Sequence, residues 1–346
     1  MSKIRIPKGY RPVLDELETE IAIRKIKREF QHDLAFELNL HRASAPLFVL
    51  AGTGINDDLN GTEKAVQFTI RDMGGAAAQV VHSLAKWKRM ELALLGIKPG
   101  AGIYTDMNAI RADEELDNIH SLYVDQWDWE KAITAKERNL DYLRETVEHI
   151  YYAIRRTEYF IGKEYTGLQP FLPPKVEFIY SEDLEAEFPN LTPKQREDRA
   201  ARKYGAVFLI GIGGNLPISG KPHDGRSPDY DDWSTRTSKG HHGLNGDLLV
   251  FNPVLGNSLE LSSMGIRVDK TALKRQLKER NATERLKLKF HKALMNDELP
   301  LSIGGGIGQS RLCMLLLHKA HIGEVQSSLW PESMHEECRK AGFTLL

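Results

Sequence analysis

The stretch Gly304-Gly305-Gly306-Ile307-Gly308-Gln309-Ser310-Arg311 runs directly into Leu312-Cys313-Met314-Leu315-Leu316-Leu317. Closely spaced glycines let a backbone come near a flat or anionic ligand. The apolar run reads as a buried helix, and Arg311 falls in its first turns, where a bound phosphate would lie. The spacing predicts a tight strand-to-helix turn. That turn is neither G-x-x-x-x-G-K-[ST] nor G-x-G-x-x-G, and the chain also lacks G-x-S-x-G, H-E-x-x-H and C-x-x-C. P-loop enzymes, dinucleotide oxidoreductases, α/β-hydrolases, zincins and thiol redox proteins therefore lose their usual marks. Taken alone, the stretch also fits a plain turn with a surface Arg.

Working outward, Leu255-Gly256-Asn257 links the apolar runs 248–251 and 259–261 as a hairpin. Asn245-Gly246 before Asp247 is a second turn signal, so part of the sheet is antiparallel. Further β-rich runs at 79–82, 102–107, 120–126, 176–180 and 206–212 predict roughly six to eight strands. Val13, Leu17, Ile21, Phe30, Leu34 and Leu38 keep mostly helical spacing and predict a long amphipathic helix leading to Pro46, where it cannot continue. Leu140, Leu143, Val147, Ile150 and Ile154 predict a second helix, and a third covers 270–294. Strands and helices do not alternate regularly, which disfavours a doubly wound parallel sheet. The expectation is one α+β domain over 1–346, with a mainly antiparallel sheet flanked by helices.

The 346 residues, 41% hydrophobic and 27% charged, suffice for a well-buried core. Lys and Arg number 47 against 48 Asp and Glu, so no global field favours nucleic acid or an anionic membrane. Phosphate chemistry must come from local clusters. Cys313 and Cys338 are the only cysteines, which excludes a disulfide framework and a Cys-built zinc site. The twelve His residues, including His223 and His241-His242, lack metal-ligand spacing. Met1-Ser2-Lys3-Ile4-Arg5 has no apolar leader, and no run approaches the ~20 apolar residues of a membrane span. The expected compartment is the cytoplasm. Asn60-Gly61-Thr62, Asn190-Leu191-Thr192 and Asn281-Ala282-Thr283 match the short glycosylation triplet, with nothing else suggesting secretion.

The Gly-rich stretch gains meaning from what precedes it. Arg111-Ala112-Asp113-Glu114-Glu115 lies between two predicted strands, and the return strand ends in Asp125-Gln126-Trp127-Asp128-Trp129-Glu130. Asp247 and Glu260 flank the hairpin, and Ser262-Ser263-Met264-Gly265-Ile266-Arg267 follows. An Arg on a strand, two acids on a hairpin and an Arg after a Gly-rich turn would hold a nucleotide and Mg²⁺ without a P-loop. This order resembles the signature motifs of class II aminoacyl-tRNA synthetases, and along the whole chain it resembles ammonia-dependent asparagine synthetases, the aspartate-ammonia ligases. Asp57 with Gly61-Thr62-Glu63-Lys64-Ala65-Val66, residues 82–89, and Pro228-Asp229-Tyr230-Asp231-Asp232-Trp233-Ser234 resemble that branch specifically.

The resemblance implies roles residue by residue. Pro46 matches the proline of the dimer-forming first motif, which implies a homodimer. Arg111 matches the second-motif Arg on the ATP α-phosphate, with Asp113 where the synthetases commonly carry Glu. Ser121, Leu122 and Val124 fall where contacts hold adenine, and Arg311 matches the third-motif Arg near adenine and phosphates. Asp247 and Glu260 resemble the acids that hold Mg²⁺. For aspartate, Ser83, Lys88, Gln126, Asp128, Ser263 and Arg267 are implicated. Lys88 and Arg267 would read its carboxylates, while Gln126, Asp128 or Asp57 accept from its ammonium group. Asp57 and Asp231 are candidates for accepting a proton from ammonium. Plainer readings compete: Asp231 and Asp232 as a solvated loop, Trp127 and Trp129 as packing, Asp57 and Asp58 as caps.

The implied reaction joins L-aspartate to ATP as β-aspartyl-adenylate with release of pyrophosphate, after which ammonia displaces AMP to give L-asparagine. Ser2 stands where an N-terminal glutaminase would need Cys, so free ammonia is the expected donor. Two rivals are a truncated aspartyl-tRNA synthetase and a non-catalytic synthetase paralogue. Fewer than 50 residues before Pro46, and no basic excess for tRNA, weigh against the first. Retention of Arg111, Asp247, Glu260, Arg267 and Arg311 weighs against the second.

Overall fold

Asp15 starts the first helix, its carboxylate accepting the Glu18 amide at 2.8 Å, and α1 runs Glu16–Leu38. The computed structural model describes residues 4–57 and 63–346, with Lys239 described by its backbone alone. Asp58, the Asn60 triplet and Gly61-Thr62 of the implicated segment lie outside the described residues. The buried face of α1 is Ala22, Ile23, Ile26, Phe30, Leu34 and Leu38, whereas Leu17 is 71% exposed and Val13 and Ile21 also face out. The apolar stripe predicted at the start of the helix is thus displaced. The helix also stops before Pro46: Asn39 (φ 56°) takes the left-handed conformation and donates its amide to Ala35 and Phe36. The short strand β1 (Leu40–Arg42) follows.

Strands β2 (Phe48–Leu50), β3 (Gln67–Ile70) and β4 (Ala76–Val80) form a small antiparallel sheet in the order β2-β4-β3. After α2 (Ala85–Leu94), the long hairpin of β5 (Gly102–Ile110) and β6 (Tyr123–Ala132) enters the main sheet. Helix α3 (Leu140–Glu164) packs on α1. Next come β7 (Glu177–Tyr180), α4 (Ser181–Glu187), α5 (Pro193–Tyr204), β8 (Ala206–Ile210) and the hairpin β9 (Asn245–Asn252) and β10 (Asn257–Ile266). The chain continues through α6 (Lys270–Glu279), α7 (Lys289–Met295), β11 (Ser302–Gly308), α8 (Gln309–Leu316) and α9 (Glu332–Ala341). The main sheet has eight strands in the order β1-β5-β6-β11-β10-β9-β8-β7, parallel only at β1/β5 and β7/β8. The mainly antiparallel α+β expectation holds.

Three local readings are corrected. The glycines 304–308 form a strand, not a turn, and β11 pairs with both β6 and β10. Asn245-Gly246 likewise lies inside β9, where a Cβ on Gly246 would come within 2.3 Å of the Leu209 carbonyl. The predicted helix 270–294 breaks after Glu279, and Asn281 adopts φ 52° before α7 begins. The hairpin turn at Gly256 (φ 71°) stands as read.

Strand alternation separates core from chemistry. On β6, Trp127 and Trp129 enter the main apolar core with Phe30, Ile303 and Ile307, so Gln126, Asp128 and Glu130 point to the opposite face. Phe30 and Trp127 pack with ring centroids 4.7 Å apart. Among the described residues no helix is long and apolar enough to cross a membrane.

Candidate active site

The face carrying Gln126, Asp128 and Glu130 opens into a cavity of about 370 Å³. Its wall includes Asp57, Ser83, Lys88, Arg111, Asp113, Ser121, Val124, Gln126, Asp128, Asp231, Glu260, Ser263, Arg267 and Arg311. Residues separated by more than 250 positions thus meet in one place. Two implicated residues are not on this wall. The Leu122 carbonyl is engaged by the Arg111 amide at 2.8 Å, and Asp247 sits behind Arg226.

The strand β11 floor has no side chains because its neighbours fill that space. A Cβ at Gly304 would lie 1.9 Å from Glu130 Oε2 and 2.6 Å from Arg267 Nη2, and one at Gly306 would lie 2.3 Å from Gln126 Oε1. The backbone itself takes part, since Gly305 O accepts from Lys88 Nζ at 3.0 Å. Lys88 also donates to Asp128 Oδ1. Burial pushes the Lys88 ammonium below its ordinary range, while Asp128 and Glu130 pull it back up.

Arg267 is fixed from two sides. Its Nε and Nη2 donate to Glu130, the latter at 2.8 Å to Oε2, and its Nη1 donates to Asp231. Ser302 Oγ adds a bond to Glu130 at 2.7 Å. Burial opposes charge on both partners, yet Arg267 holds Glu130 below the carboxylate range, and Glu130 and Asp231 together hold Arg267 fully charged. Asp231 and Asp232 are buried, so the solvated-loop reading is overturned. Asp232 pairs with Arg138 and accepts from the Ser234 and Thr235 amides at 3.1 and 2.9 Å.

Asp229 anchors the same loop. Its carboxylate lies 3.2 Å from Lys86 Nζ, 2.9 Å from His291 Nε2 and 3.3 Å from Arg285 Nη1, and accepts from Ser227 Oγ at 2.8 Å. Burial works against its charge, but Lys86, His291 and Arg285 hold its pKa far below the usual range. Because Lys86 and Lys88 share α2, this cluster ties the Asp231 loop to the helix bearing Lys88. On the facing side, Ser310 Oγ donates to Asp125 at 2.8 Å, fastening the start of α8 and thereby Arg311.

The third group of acids owes its arrangement to a bulge. Register shifts between Glu260 and Ser262, so Glu260, Ser263 and Asp247 share one face although Glu260 and Ser263 are three apart. Ser263 Oγ lies 2.7 Å from Asp247 Oδ1 and 3.0 Å from Glu260 Oε1. Burial raises the Asp247 carboxyl well above the usual range; Arg226 pulls it down and Glu260 pushes it up. Arg311 Nη1 lies 3.7 Å from Glu260 Oε2.

Sequence reasoning missed Arg226, Tyr230, Glu130 and Asp229 as members of this assembly. Arg226 donates to Asp247 and to Ser263 Oγ at 2.8 Å, and the Arg267 guanidinium lies 5.6 Å from the Tyr230 ring centroid. The signal available was position: Arg226 stands two residues before Pro228, next to a segment already singled out.

Comparison with known proteins bears on the family and the fold. The aspartate-ammonia ligase family model matches residues 17–342. A relative from Bacteroides thetaiotaomicron, named aspartate–ammonia ligase, is 60% identical over all of both chains. One of the same name from Clostridium perfringens is 54% identical, again over all of both chains. The crystal structure of asparaginyl-tRNA synthetase from Pyrococcus horikoshii complexed with asparaginyl-adenylate has TM-score 0.66 at 17% identity, covering 91% of this chain and 70% of that one. Aspartyl tRNA synthetase from Entamoeba histolytica has TM-score 0.58 at 15% identity, covering 89% and 58%. These two likenesses show a class II synthetase fold, and with full-length identity of this order the chain belongs to the aspartate-ammonia ligase family.

Proposed function

We propose that this protein makes L-asparagine from L-aspartate and ammonia, consuming ATP and releasing AMP and pyrophosphate. The observation that carries the reading is the full-length identity to aspartate–ammonia ligases, joined to a cavity lined by separate cationic groups. Lys88 and Arg267 form one group; Arg111 and Arg311 form the other. An aspartate side-chain oxygen attacks the α-phosphorus, the bond to pyrophosphate breaks, and a β-aspartyl-adenylate results. Ammonia then attacks the β-carbonyl carbon and AMP departs with the former carboxylate oxygen.

Like-charge repulsion between carboxylate and polyphosphate opposes the first step, so Arg111 and Arg311 serve best where charge develops at phosphorus. Removing one such contact costs roughly 3 kcal/mol of transition-state stabilisation. Arg267, held rigid by Glu130, and Lys88 read the substrate's carboxylates; Asp128 and Gln126 accept from its ammonium. Asp57 and Asp231 line the cavity and are the acids assigned to take the proton that ammonium must lose. Ser83, Ser121, Val124, Leu122 and Asp113 complete the binding assignments.

Asp247, Ser263 and Glu260 offer hard oxygen donors, which suits Mg²⁺. Two carboxylates alone leave most of the coordination of such an ion to substrate phosphates and water. When bound, Mg²⁺ would neutralise phosphate charge. The exposed Phe48, Leu50 and Phe68 on the small sheet, with Leu47 just before it, support a homodimer through the segment around Pro46. A core running from Leu14 to Met334 supports one catalytic domain over 1–346, and free ATP and ammonia as substrates suit a cytoplasmic enzyme.

The test is incubation with ATP, Mg²⁺, aspartate and either ammonium or glutamine. Asparagine and AMP are expected with ammonium. ADP as product, or no turnover with either donor, would sink the reading. In the same assay Arg111→Ala is expected to slow AMP formation by about a hundredfold or more.

A further inference from the structure

Arg226 occupies an unusual position for a side chain outside the sheet. It lies on the segment between β8 and β9, and its stem packs over Gly213, where an added Cβ would come within 2.8 Å of Arg226 Cβ. Its Nη2 donates both to Asp247 Oδ1 and to Ser263 Oγ at 2.8 Å, and its Nη1 lies 3.3 Å from Gly225 O. Its Nε is buried without a hydrogen-bond partner, 3.7 Å from Asp231 Oδ2. The guanidinium therefore stands between the acid assigned to ammonia and the acid assigned to the cation.

The cavity wall includes Arg226 and Glu260 but not Asp247, which is only 5% exposed. The acid pair is thus asymmetric: Glu260 faces the cavity, while Asp247 is covered by a guanidinium. A buried carboxylate needs a counter-charge, and Arg226 supplies it. A divalent ion approaching the same Asp247 oxygen competes with Nη2 for it. Once that ion arrives with a polyphosphate, the displaced guanidinium finds anionic oxygens within the same cavity, where its fork geometry suits phosphate.

We propose that Arg226 is the resident counter-ion of Asp247, filling the cation position before nucleotide binds and passing to the nucleotide's phosphate oxygens when a divalent ion enters with ATP. The inference rests on the reading of Asp247 and Glu260 as the cation-holding pair. It makes metal binding conditional on nucleotide, because the ion alone must evict a charge that then has no anionic partner. It also makes Arg226 a third phosphate-binding guanidinium beside Arg111 and Arg311.

The test uses full-length protein and Mn²⁺, titrated by electron paramagnetic resonance with and without ATP. In Arg226→Met, Mn²⁺ alone is expected to bind about tenfold more tightly than in the wild type, while Mn²⁺ with ATP binds about tenfold more weakly. Arg226→Lys, which keeps the charge, is expected to leave binding of Mn²⁺ alone within about twofold of wild type. Unchanged Mn²⁺ affinity in the Met variant, or a comparable tightening in the Lys variant, overturns the proposal. So does undiminished binding of Mn²⁺ with ATP in the Met variant. Asp247→Asn separates the two levels: if it keeps wild-type Mn²⁺ binding in the presence of ATP, the cation-pair reading itself fails and the role of Arg226 falls with it.

Discussion

His321 shows how a single buried ring sets a pH dependence. It is fully buried, its Nδ1 accepts the Gly323 amide at 2.9 Å, and Trp330 packs against it with centroids 4.8 Å apart. Burial pushes its pKa down to about 4, against a partial upward pull from Asp117. An unfolded His titrates near 6.5. Below that value the unfolded chain takes up a proton that the folded one refuses, so the ring's contribution is complete above about pH 6.5 and is lost as pH falls towards about 4. The loss is on the order of 3 kcal/mol. Melting temperatures of wild type and His321→Leu, followed from neutral to acid pH, should converge; parallel curves would refute the assignment. Nothing in the sequence around His321 marks it, because its role comes from enclosure.

At the scale of elements, the legible features were those with local causes. The hairpin turn at Gly256, read from Leu255-Gly256-Asn257, follows from residues beside it. Strand β11 was illegible because its glycines answer to Glu130, Arg267 and Gln126, which belong to other strands. The same holds for the loop bearing Asp231, whose polar sequence reads as solvated until the Lys86, His291 and Arg285 partners of Asp229 are in place. Leaving Lys86 and Arg285 without their carboxylate should be costly: Asp229→Asn is expected to lose roughly 3–5 kcal/mol, with part recovered by adding Lys86→Met. Chemical denaturation of the single and double variants measures both numbers. An additive double variant would mean that the two residues do not act as a pair.

For the whole molecule, the antiparallel class and the order of the cavity residues were readable, since motif order along the chain survives however the strands are arranged. The sheet order was not, because β1 and β7 join by parallel pairing with strands distant in sequence or separated by helices. The small sheet carries an exposed apolar patch, where Phe48 is 46% exposed and meets Phe68 at 5.1 Å. Covering that patch is the physical ground for the homodimer proposed above. Phe48→Asp should shift the protein to monomers in sedimentation velocity; if the wild type itself sediments as a monomer at micromolar concentration, the homodimer reading is wrong.

The bare floor of the cavity bears on redesign. Because positions 304–306 offer only main chain, the proposed reading of the acid substrate rests on side chains of the flanking segments, such as Gln126 on β6 and Arg267 just after β10. Room for a dicarboxylic acid one methylene longer cannot be made by trimming a glycine. It has to be carved from those flanking strands, whose outward faces carry the tuning while the middle strand stays fixed.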